Sequence, residues 1–143
     1  MTDRNTVDSF GSISDRELIQ KLKLAIADLL WMSEAEYPFE IVYWQDIDRL
    51  NEATLLQHYD YAPQTKIRTQ DIKTFFAAAT TEEEWHNEAE RTEVKRYQKL
   101  ASLLSDYLTN VRVYLIGEVE IDVYILGETE RAIAGLRTKA IAT

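Results

Sequence analysis

Residues 112–126 read RVYLIGEVEIDVYIL, and this stretch decides the fold. It is rich in β-branched and aromatic residues, which favour strands, and Gly117-Glu118 supplies a tight turn within it. The pattern therefore predicts a β-hairpin with strands over 112–116 and 119–126. Because side chains alternate along a strand, the apolar residues of the second strand share one face. That face is formed by Val119, Ile121, Val123 and Ile125.

The residues on either side of the hairpin predict a long helix and a final strand. Thr81 and Glu84 form a capping-box pattern at the start of the helix, and Asn110 is an end signal. The apolar stripe of the helix is formed by Val94, Tyr97, Ala101, Leu104 and Leu108. Its solvated face is predicted to carry Arg91, Lys95, Arg96 and Lys99. Residues 127–134 are predicted as a loop and residues 136–141 as a short strand.

The N-terminal half predicts a helix, a strand and three short elements. Ser14, followed three residues later by Glu17, is an N-cap candidate for a helix that runs to about Met32. A strand is predicted over 39–45 because these residues are β-branched and aromatic. The short elements are a helix capped by Asn51, an edge strand at 66–68, and a helix capped by Asp71 that buries Phe75 and Phe76.

This order of elements predicts an α+β fold. We expect a three-layer α/β/α-type sandwich, in which helices pack on a mainly antiparallel sheet. Residues 1–13 lack hydrophobic periodicity and are predicted to form a disordered N-terminal extension. Residues 14–143 are predicted to form a single domain, since the length suits one hydrophobic core.

The composition excludes several classes of function. A formal charge of −9 at pH 7 argues against nucleic-acid binding, which needs clustered basic residues, and favours a basic protein partner. The chain has no cysteine, so it holds neither a disulfide framework nor a thiolate metal site. We find no apolar run long enough to span a membrane and no secretory signal at the start, and we expect a cytoplasmic protein that does not bind membranes.

The sequence shows no catalytic constellation. His58 and His86 are far apart, and neither a phosphate loop nor a nucleophile elbow is present. Glu118, Glu120 and Asp122 alternate on one strand face, which suits either a solvated surface or, less simply, the metal site of a hydrolase. We predict that the chain is not an enzyme and needs no cofactor.

A second stretch, WMSEAEYPFE at residues 31–40, connects the first helix to the first strand. Pro38 fixes its own φ and disfavours helical geometry at the residue before it, so the helix must end earlier. The short connection presents Glu34 and Glu36, either as solvated linker carboxylates or as binding groups. Trp85 stands outside the apolar stripe of the long helix, so it either packs under a neighbouring loop or is an exposed binding anchor.

Residues 29–40 resemble the signature segment of the NuiA-type nuclease inhibitors, small acidic proteins that block a sugar-non-specific, metal-dependent endonuclease. The resemblance is strongest over 113–129 and continues through 134–136 and 138–139 to Thr143. Shorter matches occur at Phe75-Phe76, Ala79-Thr80-Thr81, Trp85 and Tyr97-Gln98-Lys99-Leu100. The resemblance implies a monomer that binds its nuclease one-to-one and has no catalytic residue or metal of its own.

The predicted partner-binding residues are Glu34, Glu36, Glu83, Trp85 and Thr143. By resemblance, Glu34 and Thr143 approach the metal of the nuclease, with Thr143 using its hydroxyl and carboxylate. Glu83 stands where the family has a glutamine and Ala35 where it has a serine, which bears on which nuclease is bound. Ala142 replaces a glutamate, so the tail is less acidic than the family pattern. The alternative function is a non-catalytic binding module of the same fold with a different basic partner.

Overall fold

The computed structural model describes residues 13–45 and 49–142 of the chain. The helices and strands in these ranges are α1 (Ile13–Ile26), β1 (Leu30–Met32), β2 (Glu36–Pro38), β3 (Glu40–Trp44), α2 (Glu52–His58), β4 (Ile67–Gln70), α3 (Ile72–Phe76), α4 (Glu88–Tyr107), β5 (Thr109–Ile116), β6 (Glu120–Glu128) and β7 (Ile133–Ile141). Five strands form an antiparallel sheet in the order β3-β7-β6-β5-β4, and β1 pairs with β2 in a separate hairpin. The predicted α+β class and antiparallel sheet are confirmed.

The central hairpin predicted from the sequence is confirmed. β5 ends at Ile116 and β6 begins at Glu120, with Gly117 at φ 114° in the turn between them. Such a φ suits glycine because it lacks a Cβ. The alternation along β6 places apolar side chains on both faces of the sheet, where they join two separate buried clusters. Apolar burial on this scale is the main source of stability in a domain of this size.

The first cluster joins the sheet to α1, α3 and α4. Its largest fully buried side chains from the helices are Leu18, Leu22, Phe76, Leu100 and Leu104. The second cluster joins the other face of the sheet to α2, through Leu55 and Leu56. Among the helices in the described ranges, none is both long and apolar enough to cross a membrane.

The short elements form as the sequence predicts. The side chain of Asn51 accepts a hydrogen bond from the Thr54 amide at 2.9 Å and caps α2. Asp71 caps α3 through the Thr74 amide at 2.6 Å, and this hydrogen bond lowers the pKa of the Asp71 carboxyl. β4 forms an edge of the sheet at almost the predicted position. Phe76 is buried, while Phe75 is half-buried against the same cluster.

The prediction that the first helix runs to about Met32 is wrong, because α1 ends at Ile26. Asp28 adopts a positive φ of 59°, which a helix cannot continue through. The guanidinium of Arg96 donates to the carbonyl oxygens of Ala25 at 2.9 Å and Ala27 at 2.6 Å. The sequence predicted that Arg96 lies on the solvated face of the long helix. In the structure it instead binds the C-terminal end of α1.

The predicted start of the long helix is also wrong. α4 begins at Glu88, and Asn87 is its N-cap instead of Thr81. Asn87 and Glu90 form a reciprocal capping box, with both hydrogen bonds at 2.8 Å. The Thr81 hydroxyl instead donates to the carbonyl oxygen of Ala77 at 2.7 Å, just after α3. The helix ends at Tyr107, and Asn110 lies in β5 with a positive φ.

We expect Asn87→Ala to lower the free energy of unfolding by about 0.5–2 kcal/mol, because it removes the side-chain acceptor that caps α4. Thr81→Ala is the matched variant, since it removes a hydroxyl from the position that the sequence favoured as the cap. Its cost should be the smaller of the two, about 0.5 kcal/mol, because it removes one exposed hydrogen bond to Ala77 and no helix cap. Urea unfolding of both variants measures the difference, and a larger cost at Thr81 would contradict the observed helix start.

The predicted loop over 127–134 is shorter in the structure. β6 continues to Glu128 and β7 begins at Ile133, so the final strand has nine residues. Gly127, where the predicted loop began, instead lies inside β6. Here it permits close packing, because a Cβ at this position would lie 2.8 Å from the Cβ of Leu108.

Candidate functional site

The acidic stretch near residue 34 forms the tip of the β1–β2 hairpin. Ser33 closes the turn, since its hydroxyl donates to the carbonyl oxygen of Ala35 at 2.8 Å. Glu34 occupies the exposed tip, as predicted from the constrained connection. Glu36 is exposed but lies in β2, where it pairs with Met32, so the sequence was wrong to place it in the turn.

The hairpin tip is joined to the end of β7. The Ile141 amide donates to the Ser33 hydroxyl oxygen at 2.9 Å, and the Glu34 amide donates to the Ile141 carbonyl oxygen at 3.3 Å. Thr143 itself lies outside the described residues. The structure nevertheless brings Glu34 to the last strand of the chain, more than a hundred residues further along.

The turn between β5 and β6 lies at the same end of the sheet. The Ala142 amide donates to the carbonyl oxygen of Val119 at 2.8 Å. Val119 is 58% exposed, although the sequence placed it on the apolar face of the second strand. The hairpin tip, the end of β7 and this turn together form what we call the sheet-end surface, defined by residues 33–35, 117–119 and 141–142.

Aromatic packing supports the hairpin from beneath. Trp31 of β1 stacks on Phe75, with ring centroids 4.4 Å apart and an interplanar angle of 18°. It also meets Phe76 and Tyr97 edge-on at 5.7 and 5.8 Å. The Tyr97 hydroxyl donates to the carbonyl oxygen of Leu30, and burial raises the pKa of this tyrosine. These contacts fasten the hairpin to α3 and α4 and so set the position of its tip.

Glu83 and Trp85 lie on the loop between α3 and α4, not on a helix. The Glu83 amide donates to Nδ1 of His86 at 3.0 Å, and the His86 amide donates to the Glu83 carbonyl oxygen at 3.1 Å. The Trp85 ring contacts His86 with centroids 4.3 Å apart, yet 73% of the tryptophan remains exposed. Of the two alternatives for Trp85, the structure favours the exposed aromatic.

A groove of about 420 Å³ lies between this loop and the hairpin. Trp85 and Met32 both line it, and Trp31 contributes to its wall. Met32 is 58% exposed and immediately precedes the tip residues, so the groove continues the sheet-end surface. Sequence reasoning did not select Met32 as a site residue. The signal for it was an apolar residue directly beside the Ser33-Glu34 turn.

The acidic candidates keep their carboxylates available. Within the described ranges, no hydrogen bond or ion pair engages the side chains of Glu34, Glu36 or Glu83. A carboxylate without an internal partner is free to pair with a cation on another molecule. The structure therefore places two of the predicted groups on the hairpin, and Glu83 beside the exposed Trp85.

The three alternating carboxylates of the central hairpin do not converge. Glu118 forms an exposed ion pair with Lys66 at 3.5 Å, and Asp122 accepts a hydrogen bond from the Tyr61 hydroxyl at 2.5 Å. Burial and this hydrogen bond raise the pKa of Tyr61. Across residues 13–45 and 49–142, no three histidine, aspartate or glutamate side chains group closely enough to hold a metal ion.

An exposed acidic tip, an exposed tryptophan and an apolar groove at one end of the sheet are features of a protein that binds another protein. The pattern of the nuclease A inhibitor-like protein (NuiA) family matches residues 16–143. The chain belongs to this family, and the predicted resemblance is confirmed. A comparison with curated proteins found no match.

Family membership fixes the broad function. It implies a non-catalytic inhibitor that binds a nuclease, so the prediction that the chain is not an enzyme is confirmed. The geometry then raises a narrower question, namely which part of the surface meets the nuclease.

Proposed function

We propose that this protein inhibits a sugar-non-specific, metal-dependent endonuclease by occupying its active site, as a monomer in a one-to-one complex. The observation that carries the proposal is the pair of hydrogen bonds between the Glu34 turn and Ile141. They hold the exposed Glu34 tip beside a strand that ends two residues before Thr143.

The chemistry of the target explains why an acidic edge inhibits it. A nuclease without base specificity binds the phosphate backbone through basic residues and commonly uses a divalent metal for hydrolysis. Carboxylate and hydroxyl oxygens are ligands that Mg²⁺ and Mn²⁺ prefer. A rigid edge that carries such oxygens takes the place of the substrate phosphate, and inhibition is then competitive with nucleic acid.

The roles of Glu34, Glu36, Glu83 and Trp85 rest on their exposure, and the role of Thr143 rests on the family resemblance. Glu34 at the exposed tip meets the basic, metal-containing site, and Thr143 adds its hydroxyl and terminal carboxylate to the same site. Glu36 and Glu83 provide further negative charge around this centre, because their side chains are exposed and have no partner in residues 13–45 and 49–142. Trp85, which is 73% exposed, is the apolar anchor at the rim.

The whole chain assists the encounter. The net charge of −9 attracts a protein whose active-site groove is positively charged, and such steering raises the association rate. We expect an interface of standard size, about 1,600 Å² in total. The scaffold we propose is the three-layer sandwich over residues 14–143, which is supported by buried apolar clusters on both faces of the sheet.

Titration of the protein against a sugar-non-specific, Mg²⁺-dependent nuclease, with DNA degradation as the readout, tests the proposal. We expect a sharp loss of cleavage at equimolar inhibitor. Removing Thr143 should raise the inhibition constant at least about tenfold, because it withdraws a group that faces the basic site. Thr143→Ser is the matched control, since it keeps both the hydroxyl and the terminal carboxylate.

Two outcomes would contradict different parts of the proposal. Full inhibition by the truncated chain would remove Thr143 from the site and leave the family function intact. No inhibition by the natural chain at large molar excess would instead favour a different basic protein as its partner. The same fold would then serve as a binding module.

A further inference from the structure

The groove between the hairpin and the α3–α4 loop is lined mainly by apolar and aromatic side chains. Among the described residues, four large apolar side chains are exposed, namely Leu24, Met32, Trp85 and Val119. Met32 and Trp85 line this single groove, with the ring of Trp31 between them and the core. The stacking of Trp31 on Phe75 keeps this part of the wall rigid. The groove therefore offers a fixed apolar slot for an extended aliphatic or aromatic group.

Carboxylates from α4 border the same slot. Glu90 and Glu93 both line the groove. Glu90 is already engaged, since its Oε1 accepts a hydrogen bond from the Asn87 amide at 2.8 Å. Glu93 is exposed, and its side chain makes neither a hydrogen bond nor an ion pair within the described part of the chain. A carboxylate that is unpaired among the described residues thus lines a largely apolar slot.

We propose that this groove receives one arginine or lysine side chain from the rim of the nuclease. The aliphatic stem packs between Met32 and Trp85, and the cationic head pairs with Glu93. Arginine and lysine match such a slot because they combine an apolar stem with a charged tip. The face of a tryptophan also attracts a cation within about 6 Å. This inference rests on the proposed function and extends it by naming the group that the rim of the interface binds.

The basic charge of the target and the position of the groove beside the Glu34 tip both favour an arginine or lysine side chain over a purely apolar group. The target must carry basic residues around its active site in order to hold a phosphate backbone. The groove begins at Met32, directly before the Ser33-Glu34 tip, so a protein seated on that tip also reaches the groove. A purely apolar partner group would leave Glu93 beside it without a counter-charge, which disfavours that complex.

Glu93→Gln tests the inference, with Glu88→Gln as the matched control. Both substitutions remove one negative charge from an exposed position on α4, but Glu88 does not line the groove. Both variants should therefore lose the same small amount of long-range attraction. We measure association and dissociation rates with a sugar-non-specific, Mg²⁺-dependent nuclease that the natural chain inhibits.

We expect Glu93→Gln to raise the dissociation rate about tenfold, because it removes a close charge pair from the complex. Glu88→Gln should change that rate less than about twofold. Met32→Ala should raise the dissociation rate about fivefold through the loss of apolar contact. Thermal unfolding must show that all three variants fold like the natural chain.

Equal dissociation rates for Glu93→Gln and Glu88→Gln, with inhibition by the natural chain intact, would overturn this inference alone. Failure of the natural chain to inhibit any such nuclease would overturn the proposed function and this inference with it. The two failures are therefore distinguishable in one experiment.

Discussion

Glu34→Ala should weaken inhibition of a target nuclease by more than about tenfold. In the proposed complex the Glu34 carboxylate enters a basic, metal-containing site and is shielded from water. Truncating one member of such a charge pair costs about 2–5 kcal/mol, because the cationic partner then remains buried without a counter-charge. Each 1.4 kcal/mol corresponds to about a tenfold change in affinity. The inhibition constant, measured from DNA cleavage at several nuclease concentrations, checks this value.

Glu130→Ala is the control for this substitution. Glu130 is exposed in the turn between β6 and β7, at the opposite end of the sheet from the Glu34 tip. Removing it changes the net charge equally and should alter the inhibition constant by less than about twofold through long-range attraction. An unchanged constant for Glu34→Ala, or equal losses in the two variants, would exclude the role we assign to Glu34.

Gly135→Ala should be the most destabilising small substitution among the glycines in the sheet. Gly135 lies in β7 between β3 and β6, with φ 154°. A Cβ there would lie 1.9 Å from the carbonyl oxygen of Ile125 and 2.9 Å from its carbonyl carbon. Backbone strain of about 1–3 kcal/mol adds to an overpacking cost of similar size, so we expect a loss of about 2–6 kcal/mol.

Ala134→Gly, one residue earlier, serves as the comparison for Gly135→Ala. Ala134 is fully buried, so this variant loses one methyl group and some backbone restriction, which together cost about 1–2 kcal/mol. Urea unfolding gives both values. A cost for Gly135→Ala no greater than that for Ala134→Gly would contradict the close approach of β7 to Ile125.

Local signals predicted much of the fold because local physics decides those elements. Gly117 marks the central hairpin, and its positive φ shows why a glycine stands there. Asn51 and Asp71 cap their helices through side-chain hydrogen bonds that span only three residues. Alternation along β6 predicted which side chains share a face, since this follows from strand geometry alone.

The predicted end of the first helix and the predicted start of the long helix were both wrong, and their causes differ. The first helix was predicted to run to about Met32, but Arg96 from another helix binds the carbonyl oxygens of Ala25 and Ala27. The start of the long helix was missed for a local reason. Thr81 and Asn87 both begin capping-box patterns, but the Thr81 hydroxyl donates to the carbonyl oxygen of Ala77, four residues earlier, and Asn87 caps α4.

The residues of the candidate site were also predicted only in part. Family resemblance and residue type selected Glu34 and Trp85, and the structure leaves both of them exposed. Whether they bind a nuclease remains a prediction. Met32 escaped notice because its exposure depends on a hairpin that replaced the expected helix. Glu93 escaped notice because only the folded chain shows which face of α4 borders the groove.

The hydrogen bonds between Ser33, Glu34 and Ile141 also determine at which step the Glu34 tip loses its conformational entropy. Ordering a loop residue costs about 1–2 kcal/mol of conformational entropy. Because the tip is already fixed to β7, that loss accompanies folding and is not repeated at the moment of association. A flexible acidic tail of the same composition would instead lose this conformational entropy each time it binds. In the proposed complex the tip is therefore a preformed contact, and more of the electrostatic attraction is retained as affinity.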